Sequence, residues 1–261
     1  MPPTDRPDPR PRHRARSSRR GAVLGVLLLA LAACGGSDDA ADEPTGPTLP
    51  ADADAIVTAS AAAMGEVTSV RFELTRTGAP VYIDQFESIA IDAVVGEFTV
   101  PQSAQAVLDV EVNGNLETQL AAIALADEVW LSNPVTGDFE TLPPGYDIDP
   151  SRFFDPENGW RPLMSGLTDL ELVGREDRDG DRYHVRGTAP ADRMRAITAG
   201  LVSGQDVEID FWIQPVTGLV RGAEFTTQAP GDPDATVEWE LTLGQYGEQF
   251  TIVAPEGLTD G

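Results

Sequence analysis

No lysine occurs anywhere in the 261 residues; all 18 basic side chains are arginines, set against 43 acidic ones. Cysteine appears once, at Cys34, and histidine twice, at His13 and His184. Each scarcity excludes something. Nucleic-acid affinity rests on Lys and Arg neutralising phosphates, so a chain of net charge −25 has no electrostatic route to it. One cysteine cannot close an intramolecular disulfide, so the fold must be held by its core, which a chain of this length can supply. No Gly-x-Ser-x-Gly elbow, His-Glu-x-x-His helix, Walker loop or dinucleotide glycine pattern is present. No apolar run reaches the roughly 20 residues that span a bilayer as a helix.

What is there begins with Arg19 to Cys34, a basic leader running into an apolar segment from Ala22 to Ala33. As a helix that segment would be about 18 Å long, too short for an anchor, and it reads as a cleavable secretory signal over residues 1–33. Leu31-Ala32-Ala33-Cys34 resembles the bacterial lipobox, whose cysteine thiol receives a diacylglyceryl group and becomes the mature N-terminus. Ser18-Arg19-Arg20 also resembles the start of a twin-arginine signal, but Ala22 and Val23 stand where a large apolar pair is expected, so both export routes stay open. Without residues 1–33 the chain carries 11 arginines against 41 acidic residues. Such a chain is repelled by an anionic membrane surface, and the lipid on Cys34 is then its attachment, on the extracytoplasmic face.

Residues 34–50 hold one large apolar side chain, Leu49, among Gly, Ser, Asp and Pro, and cannot offset their ordering entropy. They read as a tether with a root-mean-square span of roughly 20 to 25 Å. Residues 51–261 read as a single folded domain. Asp52 to Met64 predicts a helix, with Asp52 or Asp54 as N-cap and a thin apolar face of Ile56, Val57, Ala59 and Ala63. After Gly65 the period changes from 3.6 to 2. Val70, Phe72 and Leu74 alternate with Arg71, Glu73 and Thr75, and further strands are expected at 89–91, 98–100, 108–112, 116–125 and 129–131. Asn113-Gly114 supplies a hairpin turn.

The middle carries Pro143, Pro144, Pro150 and Pro156 in a loop, after which Trp160, Leu163, Met164 and Leu167 form a helical stripe. Strands resume at 168–174 and 183–188; Pro190 opens a helix to about Leu201 with Met194, Ile197 and Leu201 on one side. Strands follow at 207–213, 219–227, 237–243 and 250–253. The sum is an α+β domain: a single curled antiparallel sheet of about eleven strands, apolar on one face and acidic on the other, whose concave face a few helices must cover.

Neither the lone histidine of the mature part nor the acidic loop makes a catalytic or metal site. His184, with Arg182 and Arg186 on its own face, reads as an exposed strand histidine. Asp177-Arg178-Asp179-Gly180-Asp181 has the start of a calcium loop but lacks its closing Glu, and reads as a hairpin turn. No metal and no cofactor are expected, and no enzymatic activity.

The order from Cys34 onward resembles the mycobacterial LppX/LprG-type (LppX_LprAFG) lipoprotein carriers: lipobox, acidic tether, Ala-rich helix, strands, the Tyr146-Asp-Ile-Asp-Pro150 and Phe154-Asp-Pro-Glu-Asn-Gly159 segments before the stripe helix, Trp212-Ile213, Thr217-Gly218-Leu219, and Tyr246-Gly247. The missing lysines and more acidic surface depart from that pattern. The resemblance implies a half barrel, covered by helices on its concave side, enclosing an apolar cavity for the acyl chains of lipids or glycolipids. It implies carriage from the inner membrane toward the outer envelope, with a lipid transporter as a partner. The inward strand positions Val70, Phe72, Leu74, Ile89, Ile91, Leu108, Val110, Ile209, Phe211, Ile213, Val237 and Trp239, facing Leu163, Met164 and Leu167, are the expected lining. A solid core would use the same residue types. Arg152 and Arg161 are candidates to receive an anionic headgroup. The alternative is a non-enzymatic envelope lipoprotein, a lipid sensor or docking module, built on a filled core.

Overall fold

The computed structural model describes residues 52–126, 128–142, 157–198 and 200–255. The leader, Cys34, the tether, and the proline-rich segment with Arg152 lie outside the described residues. Helix α1 (Ala53–Gly65) begins at Asp52, whose carboxylate accepts from the Ala55 N–H at 3.0 Å and so satisfies one otherwise orphaned amide. It buries Ile56, Val57 and Met64. Its alanines allow a close approach at Gly218, where an added β-carbon would stand 3.3 Å from the Ala59 carbonyl oxygen.

Five strands follow as a meander, β1 (Ser69–Gly78) to β5 (Glu128–Ser132), and then β6 (Phe139–Thr141). After α2 (Trp160–Ser165) come β7 (Thr168–Asp177), β8 (Asp181–Ala189), α3 (Ala191–Ile197), β9 (Val207–Ile213), β10 (Val220–Ala229) and β11 (Asp232–Gly244); between β1 and β5 lie β2 (Ile89–Thr99), β3 (Ser103–Val112) and β4 (Leu116–Leu125). All eleven join one antiparallel open sheet in the order β6-β5-β4-β3-β2-β1-β11-β10-β9-β8-β7. The first half steps outward from β1 to one edge, and the second half returns from the other edge to pair β11 with β1.

That topology explains where the helices lie. The chain leaves the sheet at β6 and re-enters at β7 on the opposite edge, and α2, within that connection, lays Trp160, Leu163 and Met164 into the core. The β7 edge is guarded against further pairing by exposed charges and by two breaks in register, at Thr168/Glu171 and Leu172/Gly174.

Several expectations need correction in detail. The two strands expected at 89–91 and 98–100 are one strand, β2, with a bulge at Asp92 between Ile91 and Ala93. Residues 250–253 form no strand, and β6 was not expected. The helix expected up to Leu201 stops at Ile197, because the Thr198 hydroxyl donates to the Met194 carbonyl (2.6 Å) and accepts from the Val202 N–H (3.0 Å), turning the chain. Asn113 and Gly114 both take positive φ, as the tight hairpin turn requires. Asp179 and Gly180 do likewise, with Asp177 accepting from Gly180 and Asp181 paired to Arg175.

An apolar cavity as the candidate functional site

The inward side chains form rows across the sheet. One row runs Leu120, Leu108, Val94, Leu74, Leu241, Ala223, Phe211, Val185 through eight neighbouring strands. The next, toward the start of β1, runs Ala122, Ala106, Gly96, Phe72, Leu243. In that second row three consecutive strands present a methyl group or a hydrogen; the Phe72 ring lies over Gly96, and Ala106 and Ala122 border the open space.

The result is a cavity lined by residues from β1–β4, β9–β11, α2, α3 and the segments after β1 and α3. The cavity volume is about 90 Å³, room for several waters. Among its lining residues only Thr198 and the two indoles of Trp160 and Trp239 carry polar side-chain atoms. Thr198 is spent on the main chain as above, and the Trp239 N–H donates to the Thr227 hydroxyl at 3.1 Å. A space so poor in free hydrogen-bonding groups is unattractive to water and suits hydrocarbon.

One side of the wall is closely packed. Trp160 meets Phe211 edge to face with centroids 6.5 Å apart, and Phe72, Phe211 and Leu243 are buried. At the other side Leu74, Val94, Leu241, Phe225 and Leu201 are only half-buried, so solvent reaches the wall there.

Of the fifteen lining candidates from sequence, the cavity wall contains Phe72, Leu74, Ile91, Leu108, Leu163, Ile209, Phe211 and Trp239. Val70, Val110, Met164, Leu167, Ile213 and Val237 instead belong to the packed core around it, with Ile89 against that core. Sequence reading leaves out Met194, Ile197 and Leu201, despite their helical spacing, Leu241 and Leu243, which alternate in register with Val237 and Trp239, and Val94, which the Asp92 bulge turns inward against the parity of Ile89 and Ile91. Ala106 and Ala122 gave no signal, because their contribution is the volume they do not occupy. Arg161 is exposed and lies against Gly65 at the end of α1, outside the cavity wall.

His184, expected from sequence to be exposed, is instead only 8 % accessible, on the outer face. It stacks on Trp212 (centroids 4.9 Å), with Nδ1 2.7 Å from Glu176 Oε1 and Nε2 2.6 Å from Asp210 Oδ1. Asp210 also pairs with Arg186, and Arg178 caps the Trp212 ring at 3.9 Å. The Trp212 N–H bond to Glu176, and then the His184 bond, hold the Glu176 carboxyl below the usual Glu range. Both ring nitrogens are engaged by carboxylates, and this face is opposite the cavity.

An open antiparallel sheet folded around an apolar cavity, with helices across its concave side, defines an apolar-cavity half barrel. The sequence profile of the LppX_LprAFG lipoprotein family matches residues 52–252, and the chain belongs to that family. The fold is that of two solved members. LprF from Mycobacterium bovis aligns with a TM-score of 0.59 and 20 % identity, over 81 % of this chain and 100 % of its own. The Mycobacterium tuberculosis lipoprotein LppX aligns with a TM-score of 0.55 and 19 % identity, over 77 % of this chain and 100 % of its own. No curated protein matches the chain by sequence. Among the described residues no helix is long and apolar enough to cross a membrane.

Proposed function

We propose that the protein is an envelope lipoprotein, anchored through a lipid on Cys34, that takes the acyl chains of lipids or glycolipids into its cavity. It carries them from the inner membrane toward the outer envelope and hands them on without chemical change. The single observation behind this reading is the lining: apolar side chains from seven strands and two helices surround a space where only Thr198 and two indoles carry polar side-chain atoms. Moving two long acyl chains through water costs on the order of 20 kcal/mol, at about 0.8 kcal/mol per CH₂. A dry cavity offsets that cost, and a headgroup gains nothing from it and stays at the solvated side, near Leu74 and Leu241.

A long acyl chain needs more room than this cavity gives. Uptake therefore requires the part of the wall formed by Met194, Ile197 and Leu201, on α3 and the turn after it, to move outward. The modest volume also favours the second reading, a lipid sensor or docking module with a nearly filled core. Native mass spectrometry of residues 52–261 after exposure to envelope lipids, followed by lipid extraction, separates the two. A bound mass equal to a di- or triacylated lipid is the expected result; a bare polypeptide leaves the filled-core reading.

A further inference from the structure

The segment between β1 and β2 is itself a small hairpin. Tyr82 bridges Ala90, the Ile83 N–H donates to the Ile89 carbonyl, and the Ile91 N–H donates to the Val81 carbonyl, both at 2.9 Å. Val81 and Ile83 are buried, and Ile83 is part of the cavity wall. At the tip the Asp84 carboxylate gathers four donors: the N–H groups of Phe86 (3.1 Å), Ser88 (2.9 Å) and Ile89 (2.8 Å), and the Ser88 hydroxyl (2.7 Å). Arg76 ties down the base through the carbonyls of Ile91 and Ala79 and through Asp92.

This fixed tip pushes Phe86 into solvent, 75 % exposed, with Tyr82 at 38 %. Next to it the Asn113 N–H donates to the Ser88 carbonyl at 2.7 Å, which sets the β3–β4 turn and its 51 % exposed Leu116 along the same rim. The turn thus holds a phenyl ring out on a rim that also carries an exposed tyrosine and an exposed leucine.

We infer that this rim, with Phe86 at its tip, inserts into the interfacial layer of the lipid bilayer. The occupant follows from charge and tether. The charged neighbours on the rim are Glu87, Glu111 and Glu117, so contact with anionic headgroups or an acidic partner is disfavoured, and insertion of apolar groups between uncharged or zwitterionic lipids is the attraction left. Aromatic rings favour that layer. The chain is a lipoprotein, and the eighteen residues from Cys34 to Ala51 keep the rim within reach of the bilayer, so a weak insertion is enough. Because Ile83 joins the same hairpin to the cavity wall, insertion brings the carrier's binding space to the lipid; that purpose rests on the carrier reading, the insertion itself does not.

The four native tryptophans, Trp130, Trp160, Trp212 and Trp239, are each no more than 5 % exposed, so an added indole can be followed. The lipidated full chain carrying Phe86→Trp is reconstituted in phosphatidylcholine vesicles with brominated acyl chains. We expect the introduced indole to shift to shorter wavelength and lose most of its emission, independently of salt, while Val107→Trp on the outer sheet face is unaffected. An indole at 86 that stays in water, or equal quenching at both positions, overturns the proposal. Shielding of the tip by an added protein alone, with none by vesicles, would make the rim a protein-docking surface and also overturn it. Phe86→Asp should further slow lipid exchange between vesicles while leaving the lipid extracted from the cavity unchanged. If no lipid is extracted from either form, the carrier reading fails while the fluorescence result on the rim stands.

Discussion

The Phe72 ring lies across Gly96 on the neighbouring strand, so close that a β-carbon at 96 would overlap Cζ of Phe72 and stand 2.8 Å from the Gln105 carbonyl oxygen. The backbone oxygen cannot swing away, so Phe72 would have to move, and the cavity is the space open to it. Gly96→Val should therefore lower stability by about 1–3 kcal/mol, read from urea unfolding. It should also reduce lipid uptake, since Phe72 would then occupy the cavity. Unchanged stability would mean that Phe72 and Gly96 are not held together.

Ala106 and Ala122 sit beside Gly96 in the same row. In an open cavity Ala122→Leu adds buried methylenes without displacing anything and should gain up to about 2 kcal/mol of stability. In a packed core the same change would lose about 1–3 kcal/mol. We expect the gain, together with less lipid bound per chain, measured on one sample by thermal unfolding and lipid extraction.

Asp84 supports a pH prediction. Burial opposes its charge, but the bonds from the Ser88 hydroxyl and from the N–H groups of Ile89, Ser88 and Phe86 outweigh that and hold its carboxyl below the ordinary value of 3.8. The charged form is the bonded form, so its contribution is full above pH 3.8 and is lost as the pH falls through the lower folded value. Amide exchange at Ser88 and Ile89, corrected for its intrinsic pH dependence, should accelerate only below pH 3.8. In Asp84→Ala it should be fast at neutral pH as well. Equal protection in both proteins would show that the carboxylate does not order the tip.

His184 joins three strands, β7 through Glu176, its own β8, and β9 through Asp210. His184→Ala removes both contacts and the ring stacked on Trp212, and should cost about 1–2 kcal/mol by urea unfolding. His184→Gln, which can still donate to one carboxylate, should lose less. Lipid binding should persist in both, because the cluster lies on the face opposite the cavity; loss of binding without loss of stability would contradict that separation.

Much of the sheet is legible in the chain because a strand's side chains alternate with a fixed period of two. Val207, Ile209, Phe211 and Ile213 against Glu208 and Asp210, or Val237, Trp239 and Leu241 against Glu238 and Glu240, mark an inner and an outer face whatever stands opposite. Turn residues that tolerate positive φ, as at Asn113-Gly114 and Asp179-Gly180, were equally plain. The split of β2 into two expected strands came from Gly96 and the Asp92 bulge, which interrupt the alternation without ending the strand.

Which inward residue lines a cavity and which fills a core was not written in that alternation. Val70 and Phe72 are two positions apart on one strand, yet Val70 packs into the core and Phe72 forms the cavity wall. The difference lies in what pairs beside them, Phe98 against Val70 and Gly96 against Phe72. Likewise His184 alternates outward as its position predicts, but the stacked Trp212 and two facing carboxylates bury it. The faces and the turns were set by a few consecutive residues, because both are local properties of the chain. The tertiary structure decided the cavity and the projecting rim, because each depends on volumes and partners brought together from strands far apart in the chain.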